Sequence, residues 1–154
     1  MRRAALLTAL LQAATLAGHT SAATYRVDDT GTVVNQPVTA MKWRQLVPSR
    51  AGDNTVEGQV NVALRLNLAS WVNRPARIYM VLAPTEGEQL QASWRTQGRL
   101  LPGALRSGGR TLVYDGLVRD PFLTETIQLS LAADGRLLTR TQSLQFHFEI
   151  EVLP

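Results

Sequence analysis

A strict period-two alternation over residues 56–68 constrains the fold of this chain more than any other feature. From Val56 to Leu68 every second residue is valine, leucine or glycine, and mostly polar residues fill the positions between them. Successive side chains of a β-strand point to opposite faces, so the pattern predicts one long strand with a single buried face. Because each fully buried large aliphatic side chain contributes about 1.5–3 kcal/mol, we expect this strand to be a main part of the core.

Other strand patterns recur along the chain and predict an all-β protein. Leu144–Val152 alternates in the same way, and Arg77–Leu82 is apolar on both faces, which is typical of a central strand. Shorter strand patterns cover Met41–Val47, Leu90–Arg95, Thr111–Tyr114 and Thr126–Leu131. Strands at intervals of about ten residues, with no sustained helical period beside them, predict an immunoglobulin-like antiparallel β-sandwich.

Glycine, proline and aspartate mark the predicted turns between these strands. The turns fall at Pro84–Gly87, Pro102–Gly103, Ser107–Gly109, Asp115–Gly116 and Asp134–Gly135. Asp-Gly tolerates the positive φ of a primed turn, so the last of these predicts a hairpin with the leucines that follow it. We also expect a loop at Gly52–Asn54, before the long alternating strand.

The first 23 residues have the three parts of a secretory signal peptide. Arg2 and Arg3 supply positive charge, an Ala- and Leu-rich stretch follows, and small residues precede cleavage after Ala22 or Ala23. We therefore expect export through the inner membrane to the periplasm and beyond. The predicted organisation is a signal peptide (1–23), an N-terminal extended arm (24–36) and a single β-sandwich domain (37–154).

Charge and composition argue against several functional classes. The chain carries 16 basic and 12 acidic residues, and loss of Arg2 and Arg3 with the signal lowers its formal charge from +4 to +2. This excess is too small and too dispersed to indicate nucleic-acid binding. The chain has no cysteine, so its core must stabilise the fold without disulfides. The compartment of an exported protein would allow disulfides, but this chain does not use them.

No pattern in the sequence indicates catalysis or a cofactor. After the signal, His147 is the one histidine in the sequence, and with no cysteine the chain has too few ligands for a zinc site. No phosphate-binding loop or nucleophile elbow is present, so we expect neither an enzyme nor a metal or cofactor. The tripeptide Asp29-Thr30-Gly31 resembles the active-site loop of retroviral-type aspartic proteases, but without the strand pair that precedes that loop it favours a turn or an extended arm.

The two ends of the mature chain carry the strongest functional signal. Tyr25, Val27, Asp29, Gly31 and Val33 would share one face of an extended strand. The alternating strand Leu144–Val152 reaches almost to the end of the sequence, so we expect its far edge to need a partner. An exposed apolar edge is a liability unless another strand pairs with it.

The segment Gly31 to Pro37 resembles a motif of chaperone-usher fimbrial (pilus) subunits. In that family Gly-x-Val-Val-(Asn/Asp)-x-(Pro/Ala) closes an N-terminal donor arm, and here the sequence is Gly-Thr-Val-Val-Asn-Gln-Pro. Val38 follows where the family usually has its first cysteine, Asp29 lies at an arm position that is usually apolar, and Leu153 replaces a common penultimate tyrosine. The resemblance implies an incomplete sandwich, completed first by a periplasmic chaperone strand and then by the arm of the next subunit.

The resemblance also implies a function, a set of partners and two groups of contact residues. The chain would be a structural subunit of a surface fimbria, assembled by donor-strand exchange and contributing to cell adhesion. Its partners would be neighbouring subunits, the chaperone and an outer-membrane usher. The donor arm would use Tyr25, Val27, Gly31 and Val33, and the acceptor edge strand would use Phe146, Phe148, Ile150 and Val152.

One alternative uses the same residues differently. In a self-complete periplasmic or secreted β-sandwich, the N-terminal segment would be an ordinary first strand paired within its own domain. Such a protein would act as a binding or assembly-accessory module. Carbohydrate is a candidate ligand in that case, because the aromatic faces of Trp43, Trp71 and Trp94 can stack on sugars.

Overall fold

The computed structural model describes residues 22–35, 39–45, 52–84, 90–137 and 144–154. These residues form two antiparallel sheets that pack on each other as a β-sandwich, which confirms the predicted fold class. The predicted signal peptide lies outside the described residues except for Ala22 and Ala23.

Within the described residues, ten strands build the sandwich. They are β1 (Ala23–Arg26), β2 (Val33–Val34), β3 (Lys42–Trp43), β4 (Thr55–Asn67), β5 (Pro75–Leu82), β6 (Gln91–Arg95), β7 (Gly103–Arg106), β8 (Arg110–Leu117), β9 (Phe122–Asp134) and β10 (Phe146–Val152), with a 3₁₀ turn at Ala69–Trp71. Sheet 1 has the order β1-β10-β5-β8, and sheet 2 has the order β2-β4-β9-β6-β7 with β3 also on β4.

The long alternating strand predicted from sequence is β4, and it forms the centre of sheet 2. It pairs with β9 along its whole length, from Thr55↔Asp134 to Asn67↔Phe122. Val62, Leu64 and Leu66 point inward and are buried, as the alternation predicts. The strand predicted at Thr126–Leu131 extends in both directions to form β9, because β4 offers a partner for every residue.

The core lies between the inner faces of the two sheets. Sheet 1 contributes fully buried side chains from its two middle strands, β5 and β10, and sheet 2 contributes them from β4 and β9. The largest of these side chains are Phe148, Ile78, Met80, Ile150, Leu66, Ile127 and Leu129. The prediction that Arg77–Leu82 forms a central strand is confirmed, since β5 lies between β10 and β8.

Of the five predicted turns, two are wrong and two are confirmed; the fifth, at Pro84–Gly87, falls on residues 85–87, which lie outside the described residues. Gly103 begins β7, where it packs so closely on Trp94 that an added Cβ would lie 2.7 Å from Cζ2 of the indole. Gly116 lies within β8, paired with Ala76 of β5. These glycines are therefore strand residues. The predicted turn at Ser107–Gly109 is present, and Gly108 has the positive φ of 72° that glycine allows.

The remaining local predictions fall partly outside the described residues. Asp134 ends β9 and Gly135 begins a turn, whereas the leucine strand predicted to follow reaches into 138–143, outside the described residues. The strand predicted at Met41–Val47 is present as β3 alone, and residues 46–51 also lie outside them. Gly52–Asn54 forms the expected loop before β4.

Candidate functional site: the open side of the sandwich

The two lateral sides of the sandwich are built differently. On one side the chain passes directly from β7 in sheet 2 to β8 in sheet 1, and we call this the closed side. There the backbone N–H of Leu101 donates to the carbonyl of Val113 (2.8 Å), and the hydroxyl of Thr111 donates to the carbonyl of Ala104 (2.7 Å). On the other side residues 22–35, the N-terminal segment, cover the edges of β10 and β4, and we call this the open side.

Strand β1 forms the outer edge of sheet 1. It runs antiparallel to β10, with Tyr25 opposite Ile150 and Arg26 opposite Glu149. The backbone N–H of Val27 continues the ladder and donates to the carbonyl of Phe148 (2.9 Å). Strand β10 therefore lies between β5 and β1, and the edge of β10 away from β5 is paired with a segment that lies far earlier in the sequence.

A turn carries the chain from sheet 1 to sheet 2. The carbonyl of Asp28 accepts from the N–H of Asn67 (2.9 Å), and the N–H of Thr32 donates to the carbonyl of Asp29 (2.8 Å). The hydroxyl and the backbone N–H of Thr30 both donate to the Asp28 carboxylate, and they lower the pKa of Asp28 below its usual 3.8. Asp29-Thr30-Gly31 therefore forms part of a turn, in agreement with one of the two predictions for this tripeptide.

The prediction of one extended strand from Tyr25 to Val33 is wrong. Beyond the turn, the hydroxyl of Thr32 accepts from the N–H of Arg65 (3.1 Å), and Val33 pairs with Ala63 of β4 in the opposite sheet. The edge of β10 has no other partner among the described strands, and β3 covers only the Val56 and Glu57 part of the β4 edge. A short strand on each edge, joined by a turn, therefore satisfies more backbone groups than one continuous strand.

The four predicted donor-arm residues thus divide between the sheets. Val27 is buried, with 1% of its surface exposed, whereas Tyr25 is 49% exposed and its ring lies 6.0 Å from that of Trp71. Gly31 lies against the stem of Arg65, so closely that an added Cβ would be 2.7 Å from Cδ, and Val33 is 56% exposed. Tyr25 and Val27 lie along β10, and Gly31 and Val33 lie along β4.

The four predicted acceptor residues lie together on the inner face of β10. Phe148, Ile150 and Val152 are buried, and Phe146 is half-buried with its ring edge-on to Phe148 at 6.0 Å. On its other side β10 pairs with β5 along its whole length, from Phe146↔Leu82 to Val152↔Ala76. Strand β10 is therefore held in the sandwich by β5 and by its apolar face, independently of β1.

A polar network on the outer face of sheet 1 adds to this attachment. Arg110 of β8 bonds to Glu151 (2.7 Å) and Glu149 (3.3 Å) of β10, and its guanidinium lies 3.6 Å from the centre of the Tyr79 ring on β5. The hydroxyl of Tyr79 donates to Glu151 (3.0 Å). Arg110 lowers the pKa of Glu151, while burial and the bond to Glu151 raise the pKa of Tyr79. The network joins three strands, and nothing in the local sequence pattern indicated it.

The three tryptophans do not form one stacking surface. Trp94 is buried, as are Leu90 and Ala92 on the same face, and its indole N–H donates to the carbonyl of Leu101 (2.9 Å). Trp43 lies at the Val56 end of β4, and Trp71 follows the opposite end of that strand. The prediction of a carbohydrate site that uses all three tryptophans is therefore wrong.

The described residues contain no group of three or more His, Cys, Asp or Glu side chains placed to hold a metal ion. No helix among them is long and apolar enough to cross a membrane. Comparisons of the chain with protein-family models, curated proteins and solved structures found no match. The open side, where the N-terminal segment meets β10 and β4, is the candidate functional site.

Proposed function

We propose that this protein is a structural subunit of a surface fimbria that assembles by donor-strand exchange and contributes to cell adhesion. One observation carries the proposal: β1, a strand of four exposed residues from the N-terminal segment, runs antiparallel along the outer edge of β10. In the assembled state, the N-terminal segment of one copy occupies this edge on the next copy. The protein then works through backbone pairing and has no catalytic role.

The contacts of β1 suit a strand that is exchanged. All four of its residues are exposed, and within residues 22–35 Val27 is the one buried side chain. A second copy would supply the same backbone bonds and bury the same valine, so the two pairings differ little in contact energy. The intramolecular pairing has the advantage of a high effective concentration, of the order of millimolar for a short connection. Exchange therefore depends on local concentration or on assembly factors.

The acceptor edge survives the departure of β1. Because β5, the apolar face and the Arg110 network hold β10, release of the N-terminal segment requires only local opening of the sandwich. Donor and acceptor are different surfaces of the molecule. A contact between unlike surfaces does not close on itself and generates an open chain of subunits.

The partners in this proposal follow from the exposed edge. A free β10 edge with its apolar face would attract unwanted strands, so the exported chain needs a protecting strand until the next subunit arrives. A periplasmic chaperone supplies that strand, and an outer-membrane usher directs the exchange at the cell surface.

Engineered cysteines test whether the N-terminal segment of one copy reaches β10 of another. The chain has no cysteine, so each introduced thiol is unique. Val27 and Phe148 are a hydrogen-bonded pair, and the neighbouring pair Arg26 and Glu149 is therefore of the non-hydrogen-bonded kind. Its Cα atoms are expected about 4.5 Å apart, within the range that a disulfide spans.

The experiment mixes two single variants, Arg26→Cys and Glu149→Cys, unfolds them and refolds them together at concentrations up to about 1 mM. We expect disulfide-linked heterodimers whose yield rises with concentration, and ladders when one chain carries both substitutions. The matched control mixes Arg26→Cys with His147→Cys. His147 lies on β10 two residues from Glu149, the residue opposite Arg26, so its thiol would be out of register with Arg26→Cys. No heterodimer at any concentration, with an intrachain disulfide in the double variant, would overturn the proposal.

The self-complete sandwich is the second candidate. It is favoured by the burial of Val27 and by the continuity of the N-terminal segment across both sheets of its own domain. In this case the segment is an internal first strand, and the protein is a periplasmic or secreted binding module. The cysteine experiment distinguishes the two candidates, because the self-complete sandwich forms the intrachain disulfide alone.

A further inference from the structure

The outer face of sheet 2 carries a polar groove that is independent of the open side. Two adjoining cavities of about 550 and 440 Å³ share Gln59, Ser93 and Ser130 and cross strands β4, β9 and β6. We call this surface the amide groove. Its floor is made of small residues and its walls of longer polar ones, with Ser93, Ser130, Ala104 and Ala132 in the floor and Gln59, Gln91, Gln128, Arg95 and Arg106 around it.

Strand register explains why a groove forms here. Ser93 lies opposite Ser130 of β9 on one side and opposite Ala104 of β7 on the other, so three small side chains form a row across the sheet. Gln59 of β4 pairs with the same Ser130 and ends the row. Because side chains alternate between faces, these residues point outward while their neighbours Trp94 and Leu129 fill the core.

The charges around the groove are unbalanced. Arg44, at one end, is paired with Asp53 (3.1 Å) and Glu57 (2.5 Å). Arg95 and Arg106 are exposed and make no ion pair with any residue of the described ranges. Arg106 of β7 lies opposite Gln91, and Arg95 follows Gln91 by four residues along β6, so the Cα atoms of the two arginines are about 14 Å apart.

We propose that the amide groove binds an extended acidic polysaccharide. The amides and hydroxyls of Gln59, Ser93 and Gln128 both donate and accept hydrogen bonds, which suits a ligand rich in hydroxyl groups. Arg95 and Arg106 bind its acidic groups at two points along the chain, and guanidinium matches the geometry of a carboxylate. The inference does not depend on fimbrial assembly.

The composition of the groove favours a sugar chain over an acidic peptide. Protein interfaces are centred on aromatic or large aliphatic side chains that become fully buried. The outward positions of the floor are serine and alanine, and they offer no such anchor. Strands β4, β9 and β6, which form most of the groove, are each paired on both sides, so they offer no free backbone edge to a peptide.

Binding of alginate oligosaccharides to the purified full chain tests the proposal, with neutral dextran and poly-L-glutamate as comparison probes. We expect alginate to bind more tightly than either probe, and to bind more weakly as salt is raised. The double variant Arg95→Gln/Arg106→Gln should weaken alginate binding by about tenfold, since two exposed charge contacts are lost. Its thermal unfolding should match that of the unaltered protein, because neither arginine forms an ion pair with another of the described residues.

The matched control is Arg74→Gln/Arg119→Gln, which removes two exposed arginines away from the groove. It should leave alginate binding unchanged. The proposal is overturned if alginate does not bind, or if the control variant weakens binding as much as the groove variant. It is also overturned if poly-L-glutamate binds as tightly as alginate with the same dependence on Arg95 and Arg106, since the groove would then be a peptide site.

Discussion

The closed and open sides of the sandwich differ in how firmly the edges of the two sheets are covered. On the closed side, β7 and β8 are consecutive, and the loop before them is tied to the sheet by side chains of the interior. On the open side, strands of four and two residues cover the edges of β10 and β4. Stability is distributed unevenly in proteins, and segments with few buried contacts open first. The comparison indicates that the closed side is attached more firmly than the open side.

The loop between β6 and β7 shows how firmly the closed side is tied. The carboxylate of Glu125, on β9, accepts from the backbone N–H groups of Gly98 (3.1 Å), Arg99 (2.8 Å) and Leu100 (3.0 Å). The hydroxyl of Thr96 donates to the carbonyl of Leu100 (2.7 Å). Three bonds to one charged group replace a missing strand ladder at this point. No comparable clamp holds the N-terminal segment within the described residues.

The largest effect is expected for Trp94→Ala on the closed side. The change removes a buried indole and its bond to Leu101, and it should lower the free energy of unfolding by about 3–5 kcal/mol. Urea denaturation measures this. Trp94→Phe keeps most of the apolar volume and should cost clearly less. Equal losses in both variants would show that the hydrogen bond, rather than packing, secures this side.

Glu125→Ala should have the next largest effect. Three backbone N–H groups lose a charged acceptor, and one hydrogen bond to a charged group typically contributes about 1.5–3 kcal/mol; solvent near the loop should keep the total loss to about 2 kcal/mol. Glu125→Gln retains one acceptor oxygen and is the control. Hydrogen exchange of the Arg99 and Leu100 amides should accelerate in Glu125→Ala, while that of Val27 does not change. A change at Val27 would mean that the two sides are coupled.

On the open side, Val27→Ala should cost about 1–2 kcal/mol, because it removes two methyl groups from a buried site. Val33→Ala is the matched control in the same segment. It should change stability by less than about 0.5 kcal/mol, since Val33 is largely exposed. Chemical denaturation of both variants gives the comparison. A loss for Val33→Ala as large as that for Val27→Ala would mean that the strand on β4, and not the strand on β10, anchors the segment.

The smallest effect concerns the turn at Asp28. Its hydrogen bonds to Thr30 hold the folded pKa below the usual 3.8, so the ionised carboxylate stabilises the fold above that pH. The contribution is lost as the pH falls through the lower folded pKa. The thermal midpoint of the unaltered protein should therefore exceed that of Asp28→Asn at pH 6, and the difference should vanish in acid. A difference that does not shrink as the pH is lowered would exclude the carboxylate charge as its cause.

The fold was predictable because its signal is local. In β4 the alternation of Val62, Leu64 and Leu66 already states which face is buried, and a sandwich follows once several such strands are joined by short connections. The failures at Gly103 and Gly116 have a physical reason. Glycine is a turn signal in a single sequence, but here it allows close contact with Trp94 or lies in a strand whose partner is distant in sequence.

The candidate site was predictable only in part. The inner face of β10 follows from alternation, whereas the partner of β1 depends on a pairing between residues more than a hundred positions apart. Val27 is the one buried side chain of residues 22–35. A single buried valine is not enough to predict the register in which β1 pairs with β10. The clamp at Glu125 and the floor of the amide groove also depend on register between strands. Ser93 and Ser130 are ordinary surface residues until the sheet places them side by side.

The edge position of β1 gives the molecule a direction-dependent mechanical strength. Its hydrogen bonds to β10 lie perpendicular to both strands. A force along β1 loads all of these bonds at once and must slide Val27 out of the core in the same step. A force away from the sheet, applied at Ala23, breaks them one after another and reaches Val27 last. The same strand therefore resists tension along its own axis and yields to peeling from its end.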